Sequence, residues 1–238
     1  MEVTSHNGMT PAAEHVVDQA TKRAAEILQD TDRVAHRLAR YYARRGNYAG
    51  STFLDLNPNN PLVIEASDLF ATTLLSVQIP PMAARNILEP GATSMYLTRL
   101  LNQDELAVDI NLAVSTDATL AAMRELHVAL KQALSPHNVS QSNRWVTASK
   151  LSARKRPDLF PVRDELVKRL LGLWDFGNFE VDWQVYRHLL RNKALMDKLR
   201  DAVDAAATTE GVRVGDPNAL LRHLDVALWT HAKPPRGT

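Results

Sequence analysis

Apolar residues recur every three or four positions along most of the chain, a spacing typical of helices with one buried side. Prolines, glycines and capping residues divide this pattern into separate helices. The predicted helices are two within Pro11–Arg45, broken around Asp30 to Asp32, one from Glu65 or Ser67 to Val77, and others at 81–88, 93–102, 117–134, 142–155, 162–172, 181–206 and 219–231. The sequence therefore predicts an all-α protein, a compact bundle of roughly eight to ten helices.

Some stretches depart from the helical spacing. The segment from Asn47 to Pro61 is rich in glycine, proline and asparagine, which favour turns, and it predicts a loop. Residues 10–231 are predicted to form one helical domain, and this loop marks the boundary if the domain has two lobes. Between Asp104 and Val114 apolar residues alternate with others, so a short strand is the alternative there. The ends, 1–9 and 232–238, contain little to bury and are predicted to be disordered.

The composition limits the chemistry available to the protein. A chain of 238 residues with 45% hydrophobic residues can bury a full core, which argues against intrinsic disorder. The chain has no cysteine, so disulfides and cysteine-built metal sites are excluded. His127 has no second metal-binding residue four positions away, and His188, His223 and His231 are likewise unpartnered in sequence. We therefore predict neither a metal nor a cofactor.

The distribution of apolar residues also bears on location. Charged residues are mixed among small residues through the beginning of the chain, which is unlike a signal peptide. The sequence contains no uninterrupted apolar run of about 18 residues, the length needed to cross a bilayer. We expect a soluble, cytoplasmic protein without a membrane partner.

Positive charge is concentrated in one segment, although the whole chain has a formal net charge of only +1. Between Arg144 and Arg169, eight positive and three negative residues give a segment charge of +5, so the rest of the chain carries −4. Phosphate contacts by lysine and arginine supply much of the affinity of nucleic-acid binding. We therefore predict that this segment contacts nucleic acid, and the candidate residues are Arg144, Lys150, Arg154, Lys155 and Arg156. The alternative is a solvated surface whose charges serve only solubility.

A second set of cations lies on the predicted helix after Asp30. Arg33, Arg37, Arg40 and Arg44 are spaced by four, three and four residues, which places them within about 60° on one side of a helix. Arg37 and Arg44 are the nucleic-acid-binding candidates from this row. The row also suits an acidic partner or plain solvent.

The candidate catalytic residue lies in the segment from Trp145 to Leu171, which has the sequence WVTASKLSARKRPDLFPVRDELVKRLL. The segment predicts a helix, a basic turn with two prolines, and a second helix whose first turn carries Asp164 and Glu165. A carboxylate there is stabilised by the helix dipole. Favouring the helix N-terminus is therefore the structural alternative to catalysis for Asp164.

Three stretches of the sequence resemble a family of bacterial proteins known only as a domain of unknown function. They are YYARRGNYAGSTFLDLNPNNP, DLFATTLLSVQIPP and ASKLSARKRPDLFPVRDELV, which together span roughly residues 40–172. The last stretch is the most specific of the three. The resemblance implies membership of that family and supplies no activity.

The same region is similar, more remotely, to the helix-hairpin-helix DNA glycosylases. In that family a Lys-Thr-Ala-like run ends the hairpin, and the catalytic aspartate begins a helix after a proline-containing loop. Thr147 and Ala148 match this run, with Thr147 standing 17 residues before Asp164, and Val162 occupies the matching hydrophobic position. The resemblance implies that Asp164 stabilises an oxocarbenium-like sugar and orients a water molecule.

Two departures limit this second resemblance. Val146 stands where some members have a nucleophilic lysine, so imine chemistry through that residue is excluded. The run Ser142-Asn143-Arg144 replaces the Gly-x-Gly of the hairpin, whose glycines admit positive φ and bring backbone amides to a DNA phosphate. The resemblance therefore supports a fold more than an activity.

Three hypotheses of function follow from these observations. The first is a non-catalytic or weakly catalytic nucleic-acid-associated protein that uses the 144–169 segment, with the arginines after Asp30 as a further contact, and it is favoured narrowly. The second is a glycosylase-like enzyme that uses Asp164. The third is a protein-interaction or regulatory protein without a nucleic-acid role.

Overall fold

The computed structural model describes residues 10–135 and 144–233. In these ranges the chain forms eleven α-helices and short 3-10 helices, and it contains no strand. The helices are α1 (Glu14–Leu28), α2 (Thr31–Tyr42), α3 (Ala66–Thr73), α4 (Pro81–Leu88), α5 (Ala92–Leu101), α6 (Asp117–Ala133), α7 (Trp145–Lys155), α8 (Glu165–Leu171), α9 (Phe179–Arg191), α10 (Lys193–Ala207) and α11 (Leu220–Ala232). The all-α prediction is confirmed, and the helix count is slightly higher than predicted.

The additional helix arises from a break in the segment predicted as one helix over 181–206. α9 ends at Arg191 and α10 begins at Lys193. Asn192 between them has a ψ of 97°, outside the helical range, and its side-chain oxygen accepts a hydrogen bond from Leu195 N–H at 3.1 Å. An asparagine N-cap therefore begins a new helix where the apolar spacing gives no sign of a break.

The candidate strand between Asp104 and Val114 is wrong. Short 3-10 helices cover Asp104–Leu106 and Leu112–Val114. Leu106 and Leu112 are fully buried, and Leu112 N–H donates to the carbonyl oxygen of Asp158 at 2.8 Å. The backbone groups of this segment pair within tight turns and with a loop, so no neighbouring strand is needed.

Some predicted features lie outside the described residues. These are the disordered ends at 1–9 and 234–238, and Ser142 and Asn143 at the position of the hairpin glycines. Ala232, which the prediction assigns to the disordered tail, is the last residue of α11. None of the helices in the described ranges is both long and apolar enough to span a membrane.

The chain divides into two compact units, each with its own core. Unit 1 comprises the residues up to Ser51 and from Arg163 onward, and it contains α1, α2 and α8 to α11. In this unit α2 packs against α10 and α11, and α1 packs against α8 and α9. Fully buried core side chains of unit 1 include Ala20, Ala24, Val34, Leu38, Leu199 and Leu224. The four-residue spacing of Ala20 with Ala24 and of Val34 with Leu38 places each pair on one buried side of its helix.

Unit 2 comprises Thr52–Val162 and contains α3 to α7. Here α7 packs against α3 and α6, while α5 packs against α4 and α6. Fully buried core side chains include Leu100, Leu112, Met123, Leu126, Leu130 and Leu151. α7 carries the basic candidates Lys150, Arg154 and Lys155, and its contacts with two other helices determine where their side chains lie.

Candidate functional site

Four of the five basic candidates in the 144–169 segment are buried. Lys150 is 5% exposed, Arg154 0%, Lys155 2% and Arg156 2%. α7 carries the first three, and Arg156 is the residue that caps its C-terminus. Lysine and arginine are almost never fully buried unless they are paired, so their partners indicate their role.

Arg154 binds a loop of unit 2 through its whole guanidinium group. Its Nε donates a hydrogen bond to Oδ1 of the buried Asp68 at 3.0 Å. Its two terminal nitrogens donate to the backbone carbonyl oxygens of Phe53, Leu54, Leu56 and Pro58. Because a guanidinium has five N–H donors, one buried arginine binds a series of loop carbonyls at once.

Lys155 and Arg156 extend this set of contacts. Lys155 Nζ donates to Asp68 Oδ2 at 2.7 Å and to the carbonyl oxygen of Asn60 at 2.6 Å. Arg156 donates to the carbonyl oxygens of Leu101, Leu106 and Pro61. Burial lowers the pKa of Lys155 and that of Arg156, and the Asp68 carboxylate opposes the effect on Lys155. We call Asp68, Arg154, Lys155 and Arg156 the cation clamp.

The other two basic candidates also contact the backbone of unit 2. Lys150 Nζ donates to the carbonyl oxygen of Leu75 at 2.7 Å. Arg144 is half-buried and donates from Nη1 to the carbonyl oxygen of Gln78 at 3.3 Å. All five candidates thus direct donors to their own chain, and their predicted contact with nucleic acid gains no support from this arrangement.

The arginines of α2 have a different environment. Arg33 and Arg40 are exposed, and Arg37 is half-buried. The apolar positions beside them, Val34 and Leu38, are fully buried. The spacing argument therefore holds for these three arginines, which lie along one side of the helix outside the core.

Arg44 does not belong to α2, contrary to the predicted helix through Arg45. The helix ends at Tyr42, and Ala43 forms an isolated antiparallel bridge with Val212. Arg44 N–H donates to the carbonyl oxygen of Gly211 at 2.9 Å, and its side chain is exposed. Pairing with a distant turn ends the helix before Arg45, the limit that the sequence predicts.

Within the part of the chain that the structure describes, these four arginines lack the carboxylate partners that several other exposed arginines have. Ion pairs at three or four residues' spacing join Arg85 with Glu89 at 2.8 Å, Arg169 with Glu165 at 2.9 Å, and Arg200 with Asp197 at 2.8 Å. We call Arg33, Arg37, Arg40 and Arg44 the arginine row. Among the residues that the structure describes, no member of the arginine row makes an ion pair.

Arg37 is the most constrained member of the row. Its Nε and Nη2 atoms are buried and have no hydrogen-bond partner in the described part of the chain. Burial lowers the pKa of Arg37, the neighbouring Arg33 lowers it further, and Asp30 opposes both effects. A guanidinium in this state would be stabilised by a bound anion, since an anion supplies both acceptor atoms and opposite charge.

Asp164, the candidate catalytic residue, is the N-cap of α8. Its Oδ1 accepts a hydrogen bond from Leu166 N–H at 2.9 Å, and the residue is half-buried. This contact satisfies one of the free N–H groups at the beginning of the helix. A capping role for Asp164 is therefore observed, and it leaves the second carboxylate oxygen for other interactions.

A buried acidic cluster lies close to Asp164 in unit 1. Asp182 and Tyr186 of α9 and Asp225 of α11 are all at most 4% exposed. Burial raises the pKa of Tyr186 well above its usual range, and the carboxylates of Asp225, Asp182 and Asp164 raise it further. The three carboxylates are therefore near enough to one phenol to interact with it.

Burial strongly perturbs Asp182, one of the carboxylates of this cluster. Arg163 Nε donates to its Oδ2 at 2.7 Å, while Oδ1 is buried without a partner among the described residues. Burial raises the pKa of Asp182 to about 6, and Arg163 and Lys168 oppose the shift. A carboxyl group with a pKa near neutrality can accept and release a proton, as general acid–base chemistry requires.

Sequence reasoning missed Asp182, Tyr186 and Asp225. The available signal is the four-residue spacing of Asp182 and Tyr186, which places both on one side of α9 beside buried apolar residues. Asp225 has no comparable signal, because it lies on another helix. In the described ranges, no three His, Asp or Glu side chains form a group that could hold a metal ion.

An exposed tryptophan follows the end of α8. Gly172, with φ of 77°, ends this helix in the left-handed conformation that glycine adopts without strain. Trp174 is 43% exposed, and Arg169 Cζ lies 3.7 Å from the centroid of its ring, with Lys168 Nζ at 5.8 Å. An aromatic ring beside two cations is the chemistry that stacks on bases and contacts phosphates.

Comparison with known proteins identifies a family. A family model described as a family of unknown function, DUF6308, matches residues 34–232, which extend from α2 to the last residue of α11. Neither the curated proteins nor the solved structures gave a match. The matched range contains the cation clamp, the acidic cluster and all but one residue of the arginine row. The chain therefore belongs to the DUF6308 family, whose function is unknown.

Proposed function

We propose that this protein binds nucleic acid through contacts of the arginine row with the sugar-phosphate backbone. The observation that carries the proposal is the absence of ion pairs to these four arginines within the described residues. Their charges are therefore available to phosphate groups, which guanidinium binds in bidentate geometry. Backbone contacts fix position without reading bases, so we expect little sequence preference.

The surface around Trp174 adds to this proposal. Trp174, Lys168 and Arg169 belong to unit 1, the unit that also contains the arginine row. Stacking of a base on a tryptophan requires an unpaired base, whereas phosphate contacts are made with single and double strands. We therefore expect Trp174 to contribute to binding of single-stranded more than of double-stranded DNA.

Fluorescence anisotropy with labelled single-stranded and duplex DNA at increasing salt tests the proposal. The affinity of the wild-type protein should fall linearly with salt on logarithmic axes. Combined replacement of the arginine row by glutamine should reduce this slope by roughly one for each lost phosphate contact. Trp174→Ala should weaken single-stranded binding and leave the salt slope unchanged. Binding that does not depend on salt, or no binding, would contradict the proposal.

A second candidate function is hydrolysis of a glycosidic bond at Asp164, and one observation favours it. Asp164 and Asp182, whose pKa is about 6, both act on the buried phenol of Tyr186, and the cations Arg163 and Lys168 act on Asp182. In this arrangement Asp182 would exchange a proton, while the side chain of Asp164 would stabilise a developing positive charge. This is the division of roles that two carboxylates have in many glycoside-cleaving enzymes.

Assays of base release from a panel of damaged DNA duplexes test this second candidate. Asp164→Asn keeps the size and capping ability of the side chain and removes its charge, so activity should fall by orders of magnitude. DNA affinity should stay level or rise, because a carboxylate no longer repels phosphate. Glu165→Gln, one residue away and exposed, is the matched control and should retain activity. A wild-type protein without activity on the panel would reject this candidate.

A further inference from the structure

An open cavity lies in unit 2, between α4, α5 and the segment that precedes α3. Its volume is about 660 Å³, within the range of about 300–1,000 Å³ that small-molecule sites have. The residues that line it are mostly apolar and include Val63, Ile64, Ile87, Leu88, Met95 and Leu97. An apolar lining with a few polar groups is typical of cavities that bind small molecules.

The rim of this cavity exposes apolar side chains to solvent. Met95 is 73% exposed and Leu88 is 38% exposed. Ile87 and Leu97 are at most 2% exposed, so the floor of the cavity belongs to the core of unit 2 while the rim is uncovered. An apolar group placed between them would remove apolar surface from water, which is favourable. The unbranched side chain of methionine adapts readily to the shape of a bound group.

Hydrogen bonds within the chain hold the walls of the cavity in place. Asn102, the residue that caps α5, donates from Nδ2 to the carbonyl oxygen of Leu62 at 2.9 Å. This contact joins the segment before α3 to the end of α5. Ser94 Oγ donates to the carbonyl oxygen of Glu89 at 2.9 Å and closes the turn between α4 and α5. The cavity is therefore formed before any ligand binds, which reduces the entropic cost of binding.

Arg99 is the one charged side chain among the described residues that line the cavity. Its Cζ lies 5.0 Å from the centroid of the Tyr96 ring, and it makes no ion pair within the described ranges. A guanidinium has five N–H donors, so its contact with one phenol leaves donors for another group.

Two carboxylates near this cavity already have partners. Glu89, which lies between two lining residues in sequence, pairs with Arg85 at 2.8 Å. Glu125 accepts a hydrogen bond from the Tyr96 hydroxyl at 2.9 Å. The charge of Arg99 is therefore available to an anionic group that enters the cavity.

We propose that this cavity binds a small amphipathic carboxylic acid, with its apolar body between α4 and α5 and its carboxylate paired with Arg99. Charge complementarity selects an anion, because the described lining contains a cation and no carboxylate. A carboxylate has a single negative charge, which one arginine balances, whereas a phosphate monoester has a charge of about −1.5 to −2. The proposal is independent of nucleic-acid binding, since the cavity shares no residue with the arginine row.

Titration with decanoate, followed by the methyl signals of isotope-labelled methionines in NMR spectra, tests the site. The signal of Met95, identified by its loss in Met95→Leu, should shift in a saturable way, whereas that of Met196 in unit 1 should not. Arg99→Gln should weaken decanoate binding by at least about ten-fold, because it removes charge-assisted hydrogen bonds. The same substitution should leave the weaker binding of uncharged decanol unchanged. Arg99→Lys, which keeps the charge, should retain most of the decanoate affinity.

A second variant tests the apolar side of the site. Met95→Glu changes an exposed position, so the folded structure should tolerate it. It replaces apolar surface at the rim by a negative charge, and calorimetry should show weaker decanoate binding. Arg200→Gln, which changes an exposed arginine of unit 1, is the matched control and should bind decanoate as the wild-type protein does.

Three results would overturn the proposal. The first is the absence of a saturable shift of Met95, or a decanol affinity equal to that for decanoate. The second is an unchanged decanoate affinity in both Arg99→Gln and Met95→Glu. The third is a Met95 signal that shifts with protein concentration in the absence of decanoate, because a second copy of the chain would then cover the cavity.

Discussion

At the scale of single residues, Asp182 illustrates how burial changes the protonation of a side chain. Its carboxyl group has a pKa of about 6 in the folded protein against 3.8 as the ordinary value, because burial outweighs the attraction of Arg163 and Lys168. Between these two values the folded state binds more protons than the unfolded state. The contribution of Asp182 to stability is therefore most favourable at low pH and is lost as the pH rises through about 6.

Replacement of Asp182 by asparagine should remove this dependence. From about pH 4 to pH 7, the free energy of unfolding of the wild-type protein should fall relative to that of Asp182→Asn by about 1–3 kcal/mol. Urea denaturation of both proteins at a series of pH values measures the difference. Parallel curves for the two proteins over this range would show that Asp182 titrates normally.

Asp164 allows its capping and catalytic roles to be separated by two substitutions. Asp164→Ala removes the hydrogen bond to Leu166 N–H and should lower the free energy of unfolding by about 0.5–2 kcal/mol. Asp164→Asn retains the acceptor and loses only the charge near the helix N-terminus, so its cost should be about 0.3–1 kcal/mol. Chemical denaturation measures both values. An asparagine variant less stable than the alanine variant would contradict the capping geometry.

At the scale of elements, the cation clamp joins α7 to the loop that precedes α3. Asp68 at the first turn of α3 accepts from Arg154 and Lys155 and also from the backbone N–H of Glu65. The loop carbonyls and this one carboxylate satisfy cations that would otherwise be buried without partners. The clamp explains why a strongly basic sequence segment can lie inside a folded unit.

Asp68→Asn should therefore be among the most destabilising single changes in unit 2. It leaves two buried cations with a neutral partner, and loss of one member of a buried ion pair costs about 3–5 kcal/mol. Glu89→Gln, which breaks the exposed pair with Arg85, is the control and should cost less than about 1 kcal/mol. Thermal and urea unfolding compare the two variants. Similar losses in both would mean that the clamp residues are solvated.

At the scale of the whole molecule, a formal net charge of +1 produces no strong overall field, so nucleic-acid binding has to depend on where the charges lie. Two sets of four replacements by glutamine make this testable, since each changes the net charge from +1 to −3. One set is the arginine row, and the other is Arg85, Lys193, Lys198 and Arg200, which are exposed. The first set should abolish most DNA affinity at moderate salt, whereas the second should reduce it only slightly. Equal losses would indicate non-specific attraction by net charge.

The sequence by itself determined the helical class and most helix limits, because these depend on contacts within a few residues. Pro81 begins α4, Gly172 ends α8 and Asp164 caps α8, and each acts on backbone groups of its own turn. The spacing of Arg33, Arg37 and Arg40 on one side of α2 was predicted for the same reason. Asn192 is also a local signal, because it caps the beginning of α10. The apolar spacing continues across it, and one helix over 181–206 was therefore predicted.

Only the tertiary structure decided which charges are buried and which carboxylates meet. Arg154 is separated from Asp68 by 86 residues, and the loop carbonyls that it binds are about as distant along the chain. Asp164, Asp182 and Asp225 come from three segments of unit 1. The cost of burying a charge depends on the oxygen atoms around it, and packing of distant segments supplies those atoms. A run of lysines and arginines therefore has the same sequence whether it contacts solvent, phosphate or its own backbone.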